Sequence, residues 1–209
     1  MYALKGSDMG KVPDDWVDYI FRKRRETIVL MSQGKLNADR IYIEFTRTLP
    51  AIVSYGPVGL NASVKMVGLM PRDEVFDEFY DKLTRFIETK PNRRQVLDFL
   101  LNEIYVEDKL DLTKLFTLDL AKKNTWRNIN ENKEAVLIFF TPPSKSYMVR
   151  AEVTIHTDDK YFWFANMMHD LFHVVPTKGE VVSRSPAYVF HIKEIWDKSA
   201  DKFGVKIYP

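Results

Sequence analysis

Residues 135–156 read AVLIFFTPPSKSYMVRAEVTIH. Ala135 to Phe140 is an unbroken apolar run, too short to span a bilayer, and it predicts a strand buried on both sides. A loop with two prolines follows. Then Tyr147, Val149, Ala151, Val153 and Ile155 alternate with Met148, Arg150, Glu152, Thr154 and His156. A period of two is that of a half-buried strand, with side chains pointing to alternate faces. Two consecutive strands across a loop predict an antiparallel pair, and the neighbouring segments extend it. Asp158-Asp159 reads as a turn, Tyr161 to Ala165 as a strand running back, and Ala187 to Ile192 as a last strand; Trp196 to Phe203 reads as a closing helix.

Upstream, Leu115 to Leu118 reads as a short strand and Lys122 to Asn132 as a polar helix with Trp126 and Ile129 turned inward. Ala51 to Tyr55 and Ala62 to Val67 predict a hairpin around Gly56-Pro57-Val58-Gly59. Ile41, Ile43 and Phe45 alternate with Tyr42, Glu44 and Thr46 and predict a further strand, as does the β-prone run Thr27 to Met31; a turn over Gln33 to Asn37 separates the two. Asp14 to Arg25 reads as a short amphipathic helix. Its end carries Arg22, Lys23, Arg24 and Arg25, taken as a solvated cluster that complements the helix dipole.

Between residues 71 and 105 the period changes to that of helices. Val75, Phe76, Phe79, Tyr80, Leu83, Phe86 and Ile87 recur at three and four residues, and Asp73 and Glu74 favour the helix start. Asn92 and Gln95 then make a capping box before Val96, Leu97, Leu100, Leu101 and Ile104. These two helices are expected to be an insertion in a single domain covering residues 1–209. Meandering antiparallel strands with few helices predict an α+β barrel or sheet and exclude a doubly wound one.

The chain is 209 residues long, 45% hydrophobic and 29% charged, enough to build a core. It has no cysteine, which excludes disulfides, thiolate metal sites and cysteine nucleophiles. Its net charge of +2 and the lack of a basic stripe speak against nucleic acid. Met1 to Pro13 has no apolar run suited to a signal peptide, so a cytoplasmic protein without membrane association is expected. Glycine-rich phosphate loops and the nucleophile elbow of hydrolases are absent.

One ordered set of words stands out. Phe116-Thr117-Leu118 is followed by Lys122-Lys123, by Trp126-Arg127-Asn128-Ile129 with Glu131-Asn132, by the run Ala135 to Phe140, and by Tyr147 to Val153. This resembles the FMN-binding split barrel of the pyridoxamine-5′-phosphate-oxidase-like superfamily, and Pro50 to Val53 with Gly59 to Val64 resemble that family's opening hairpin. The resemblance implies an antiparallel split β-barrel with peripheral helices, a homodimer, and an oxidoreductase acting on a small molecule. It implies FMN as cofactor, with deazaflavin or haem as variants in the same barrel. The isoalloxazine would lie against the backbone near Asn61 to Lys65, with Asn61 and Ser63 beside it, across the dimer interface. The phosphate would be held by Lys122, Lys123, Thr125, Arg127 and Arg150.

Other readings of the residues remain open. Arg93 to Tyr105, Leu112 to Leu118 and Lys122 to Asn132 are also compatible with three helices of a winged helix, with Ala135 to Ile155 as its wing and Lys122, Lys123 and Arg127 facing DNA. A cofactor-free barrel with an assembly or ligand-binding role is a third. His169 and His173 are four apart, a spacing that puts two imidazoles on one helix face, but Leu171 and Phe172 between them point to packing.

Overall fold

A computed structural model of the chain describes residues 12–173, 181 and 183–209. It has an α+β fold built on eight antiparallel strands: β1 (Ala51–Gly56), β2 (Gly59–Val64), β3 (Gly68–Pro71), β4 (Leu110–Leu118), β5 (Glu134–Thr141), β6 (Lys145–His156), β7 (Ala187–Asp197) and β8 (Val205–Tyr208). They are ordered β2-β1-β5-β6-β7-β4-β3, with β8 added to β7, and the sheet is not closed. The helices are α1 (Asp14–Val17), α2 (Lys23–Ser32), α3 (Ala38–Thr46), α4 (Phe76–Glu88), α5 (Arg93–Phe99), α6 (Asn124–Glu131) and α7 (Lys160–His173). None is long and apolar enough to cross a membrane.

The pair β5–β6 forms the middle of the sheet in the expected register, with Leu137 opposite Val149 and Ala135 opposite Ala151. Inward side chains Leu137, Phe139, Tyr147 and Val149 are fully buried. Trp16 meets Phe139 and Tyr147 edge-on at 5.5 Å, and Tyr19 meets Phe139 edge-on at 6.0 Å and Tyr147 at a tilt at 4.8 Å, which fastens the first helical segment beneath the sheet. β5 is covered on one side only. Val136 and Ile138 are half-buried and Phe140 is exposed, so the outward face of this part of the sheet is left open among the described residues.

The hairpin β1–β2 forms with a tight turn, Gly56 opposite Gly59, so β2 starts three residues before the expected Ala62. Gly59 takes φ +77°, the left-handed region open to glycine. The helices read over residues 71–105 are α4, its preceding 3-10 turn Asp73–Val75, and α5 continuing into a π-helical stretch Leu100–Ile104. Both halves of the capping box are present: Asn92 accepts from the Gln95 amide at 3.0 Å, and Gln95 accepts from that of Asn92 at 2.9 Å.

Four expected elements take the other conformation. Thr27 to Met31 lies within α2, because Phe21, Arg24 and Ile28 continue one buried helical face through it. Ile41 to Phe45 lies in α3. There the side chain of Asn37 caps the Arg40 amide at 2.8 Å and Glu44 pairs with Arg47 at 3.0 Å, so local helix signals outweigh a brief alternation. Tyr161 to Ala165 opens α7, started by Asp159 accepting from the Phe162 amide at 2.9 Å. That helix is buried nearly all round, and such a helix has no polar stripe to distinguish it from a buried strand. Trp196 and Asp197 end β7, after which the chain turns at Gly204 (φ +86°) into β8 instead of forming a helix. The winged-helix layout fails as well: Leu112 to Leu118 is in β4, and Ala135 to Ile155 forms central strands and not a wing.

Candidate functional site: an open cleft at the start of helix α6

Helix α6 crosses the inward face of the hairpin and is fixed there by one side chain. Asn128 is fully buried. Its amide nitrogen donates to the Gly59 carbonyl at 2.8 Å and to that of Ser54 at 3.3 Å, while its oxygen accepts from the Val58 amide at 3.2 Å. The helix backbone comes so close that a Cβ on Gly56 would lie 2.9 Å from the Cα of Asn128. The clamp leaves the first turn of α6 facing the rows of β2 that point inward.

Between them lies an open cleft of ≈ 510 Å³. Thr125 is buried at its base and holds two strand side chains at once: Asn61 Nδ2 donates to its hydroxyl at 2.9 Å, and the Ser63 hydroxyl is 2.9 Å away. Lys123 and Arg127 also line the cleft, both exposed. No side chain caps α6, so the first-turn amides are left to water or a ligand. Uncapped amides, hydroxyls and two cations together form an electropositive donor set.

A buried carboxylate bounds the other side. Asp119 follows β4 directly and is 2% exposed. The Tyr188 hydroxyl donates to it through a short hydrogen bond, Lys65 Nζ lies at 3.4 Å, and the amides of Lys122 and Ala121 donate at 3.0 and 3.3 Å. Burial alone would raise its pKa; the Tyr188 bond, the Lys65 charge and the two amides outweigh that and hold the carboxyl below its ordinary range. Burial and the adjacent carboxylate push the Tyr188 phenol far up, so it stays a donor. Asp119 is thus saturated, and it shapes the turn into α6 through Lys122, which adopts φ +48°.

Of the residues expected around a phosphate, Lys123, Thr125 and Arg127 come together here with Asn61 and Ser63. Lys122 turns aside, its ammonium 5.6 Å from the Trp126 ring centroid. Arg150 is not in this cluster. It lies on the outward face of β6, beside Glu194 at 3.5 Å, and lines a separate concavity with Val53, Tyr55 and Leu60. The register puts Tyr55 opposite Leu60 and Val136 opposite Arg150, on the sheet face turned away from Asn61 and Ser63.

Lys65, Asp119 and Tyr188 escape a reading of the sequence, because they converge from three separated segments. Asn128 is visible there only as part of a word shared with a family. His169 and His173 do share one face of α7, their rings 4.6 Å apart. Arg24 departs most from expectation: it lies in the first turn of α2, which continues an unbroken helical stretch from Asp14, and it is 8% exposed, not a solvated terminus.

No protein-family model matches the chain, and no curated protein sequence matches it. Solved structures similar to it include HupZ from Group A Streptococcus, with 11% identity, a TM-score of 0.47, and 82% of this chain and 98% of that one covered. HutZ, the heme storage protein from Vibrio cholerae, is similar at 8% identity and a TM-score of 0.43, over 83% of this chain and 97% of that one. A putative pyridoxamine 5′-phosphate oxidase from Listeria innocua is similar at 8% identity and a TM-score of 0.45, over 76% and 94%.

Proposed function

We propose that the chain is an FMN-binding protein of oxidoreductase type that works as a homodimer on a small molecule, with the phosphate of FMN held in the α6 cleft. The observation that carries this reading is the donor set at the start of α6: an uncapped helix turn, the Thr125–Asn61–Ser63 cluster, and the cations of Lys123 and Arg127. A phosphate monoester is the ligand such a set fits, since its oxygens accept from amides, hydroxyls and cations together. Bound there, FMN would supply the hydride or electron transfer.

The chain's own residues then have distinct tasks. Arg127 and Lys123 neutralise the dianion at the cleft mouth. Thr125, held by Asn61 and Ser63, sets the spacing between helix and strand. Asn128 keeps α6 against the hairpin, and the backbone of β2 offers a flat edge along which a planar ring can lie. The outward face of the same hairpin, with exposed Tyr55, Leu60 and Val64, is the surface through which a second copy docks. Arg150 stands at the border of that face and serves assembly there.

The visible absorption spectrum of the purified chain, before and after FMN is added and the excess removed, tests the reading. A flavin band that survives desalting, and is lost in Arg127→Ala, supports it. No retained flavin in the unaltered chain would overturn it, and a haem band would replace FMN as the cofactor.

A further inference from the structure

The least expected residue in the core is Arg24. A guanidinium carries five N–H donors and a permanent charge, and buried charges are normally paired. Among the described residues, Arg24 has no carboxylate partner. One Nη1 donates to the Val67 carbonyl at 2.8 Å, and the group lies 5.6 Å from the Tyr105 ring centroid. Its remaining donors have no acceptor among the described residues.

Two adjoining cavities open beside it, of ≈ 150 and ≈ 50 Å³. Arg24, Met66, Phe172 and His173 line both. The larger is otherwise walled by Ile28, Met31 and Phe45, with Thr27, Thr48 and Arg93 also in its lining. Glu44 is the single carboxylate among its described lining residues, and Arg47 at 3.0 Å and Arg40 at 3.7 Å already neutralise it. Burial, then the charges of His169 and Arg93, hold the His173 pKa below the ordinary histidine value, as expected in electropositive surroundings. The space is therefore mainly apolar and small, with a positive charge in its wall that is unmatched among the described residues.

We infer that this cavity binds a small apolar monocarboxylate, an aliphatic acid of a few carbons or an acid of benzoate size, with its carboxylate on Arg24 and its hydrocarbon part against Ile28, Met31 and Phe45. A cavity of about 150 Å³ accepts a ring the size of benzene, which sets the upper limit. The charge selects an anion, and the apolar walls reject one that is hydrated all round, such as inorganic phosphate. The site shares no lining residue with the α6 cleft, so it stands or falls independently of flavin binding.

The test is a titration of the full chain, labelled with 13C at the methionine methyls, with hexanoate and benzoate and, in parallel, with hexanol and benzyl alcohol. The acids are expected to shift the Met31 and Met66 methyls and to bind at least about tenfold more tightly than the alcohols, which lack the charge. Arg24→Met should remove that preference. Because Arg24 is buried and its replacement can impair folding, Met31→Trp provides a second variant: Met31 is only partly buried, and the indole fills the cavity and should abolish binding of the acids. Equal affinity for acids and alcohols, acid binding unchanged in Met31→Trp, or no methyl shift at millimolar acid would each overturn the inference.

Discussion

Asp119 shows how one side chain ties a site to a pH. Its carboxyl is held below the ordinary carboxylate range in the folded chain, mainly by Tyr188 and Lys65 acting against burial. A group whose pKa is lower folded than unfolded stabilises the fold above its unfolded value, and that contribution is lost as the pH falls through the folded one. Urea unfolding of the unaltered chain should therefore show stability falling in acid. Asp119→Asn should be less stable by about 1–3 kcal/mol at neutral pH, because an amide cannot serve the tyrosine, the ammonium and two backbone amides together. The acid fall should be shallower in that variant. An unchanged acid limb would show that other carboxylates set it. Such residues are hard to read in a sequence: Asp119 follows a strand, Tyr188 lies inside another, and nothing in either local pattern reports that they touch. Arg24 is the same problem in reverse, since a run of four basic residues suggests solvent and the helix buries one of them.

At the scale of elements, α6 and the hairpin behave as a single unit joined at Asn128. Asn128→Ala leaves the Gly59 and Ser54 carbonyls and the Val58 amide short of a partner, and should cost about 2–3 kcal/mol by chemical denaturation. The same change should weaken FMN retention, since Thr125 and Asn61 then lose their common frame. Elements with a one-sided pattern were legible: β6, α4 and α5 form where their periodicity places them, because burial on one face leaves a record in every second or every third and fourth residue. Two of the segments that went the other way carry no such record. α7 is buried on nearly all sides, and no residue of α3 is fully buried, so neither pays for a clean stripe; their capping residues, Asp159 and Asn37, decided instead. The cleft was legible as a set of residue types near one helix, whereas the split between Arg150 and the others depends on which face of the sheet each occupies.

For the whole molecule, the open side of the sheet matters most. Tyr55, Leu60, Val64 and Phe140 are all more than half exposed, on neighbouring strands and, by register, on one face. A contiguous apolar patch of this kind marks an interaction surface. Sedimentation of the unaltered chain should give a dimer, and the double change Leu60→Lys and Val64→Lys should give a monomer with the same far-ultraviolet circular dichroism. A monomer from the unaltered chain would remove the second copy from the proposed function.

The strand order also has a consequence for how the chain reaches this structure. β3 and β4 are hydrogen-bonded neighbours, yet both helices α4 and α5 come between them in sequence, while β5 and β6 are joined by a short loop. Closing a long loop costs entropy before any contact rewards it, so local pairings lead and distant ones follow. In a pulse-labelling hydrogen-exchange experiment during refolding, the amides of Val149 and Leu137 should become protected before that of Leu69, and α4 should gain protection ahead of the strand edge it bridges. The sheet would then grow outward from the β5–β6 pair, and the β1–β5 and β4–β7 seams, which join residues further apart in sequence than β3–β4 does, would close no earlier than the β3 border.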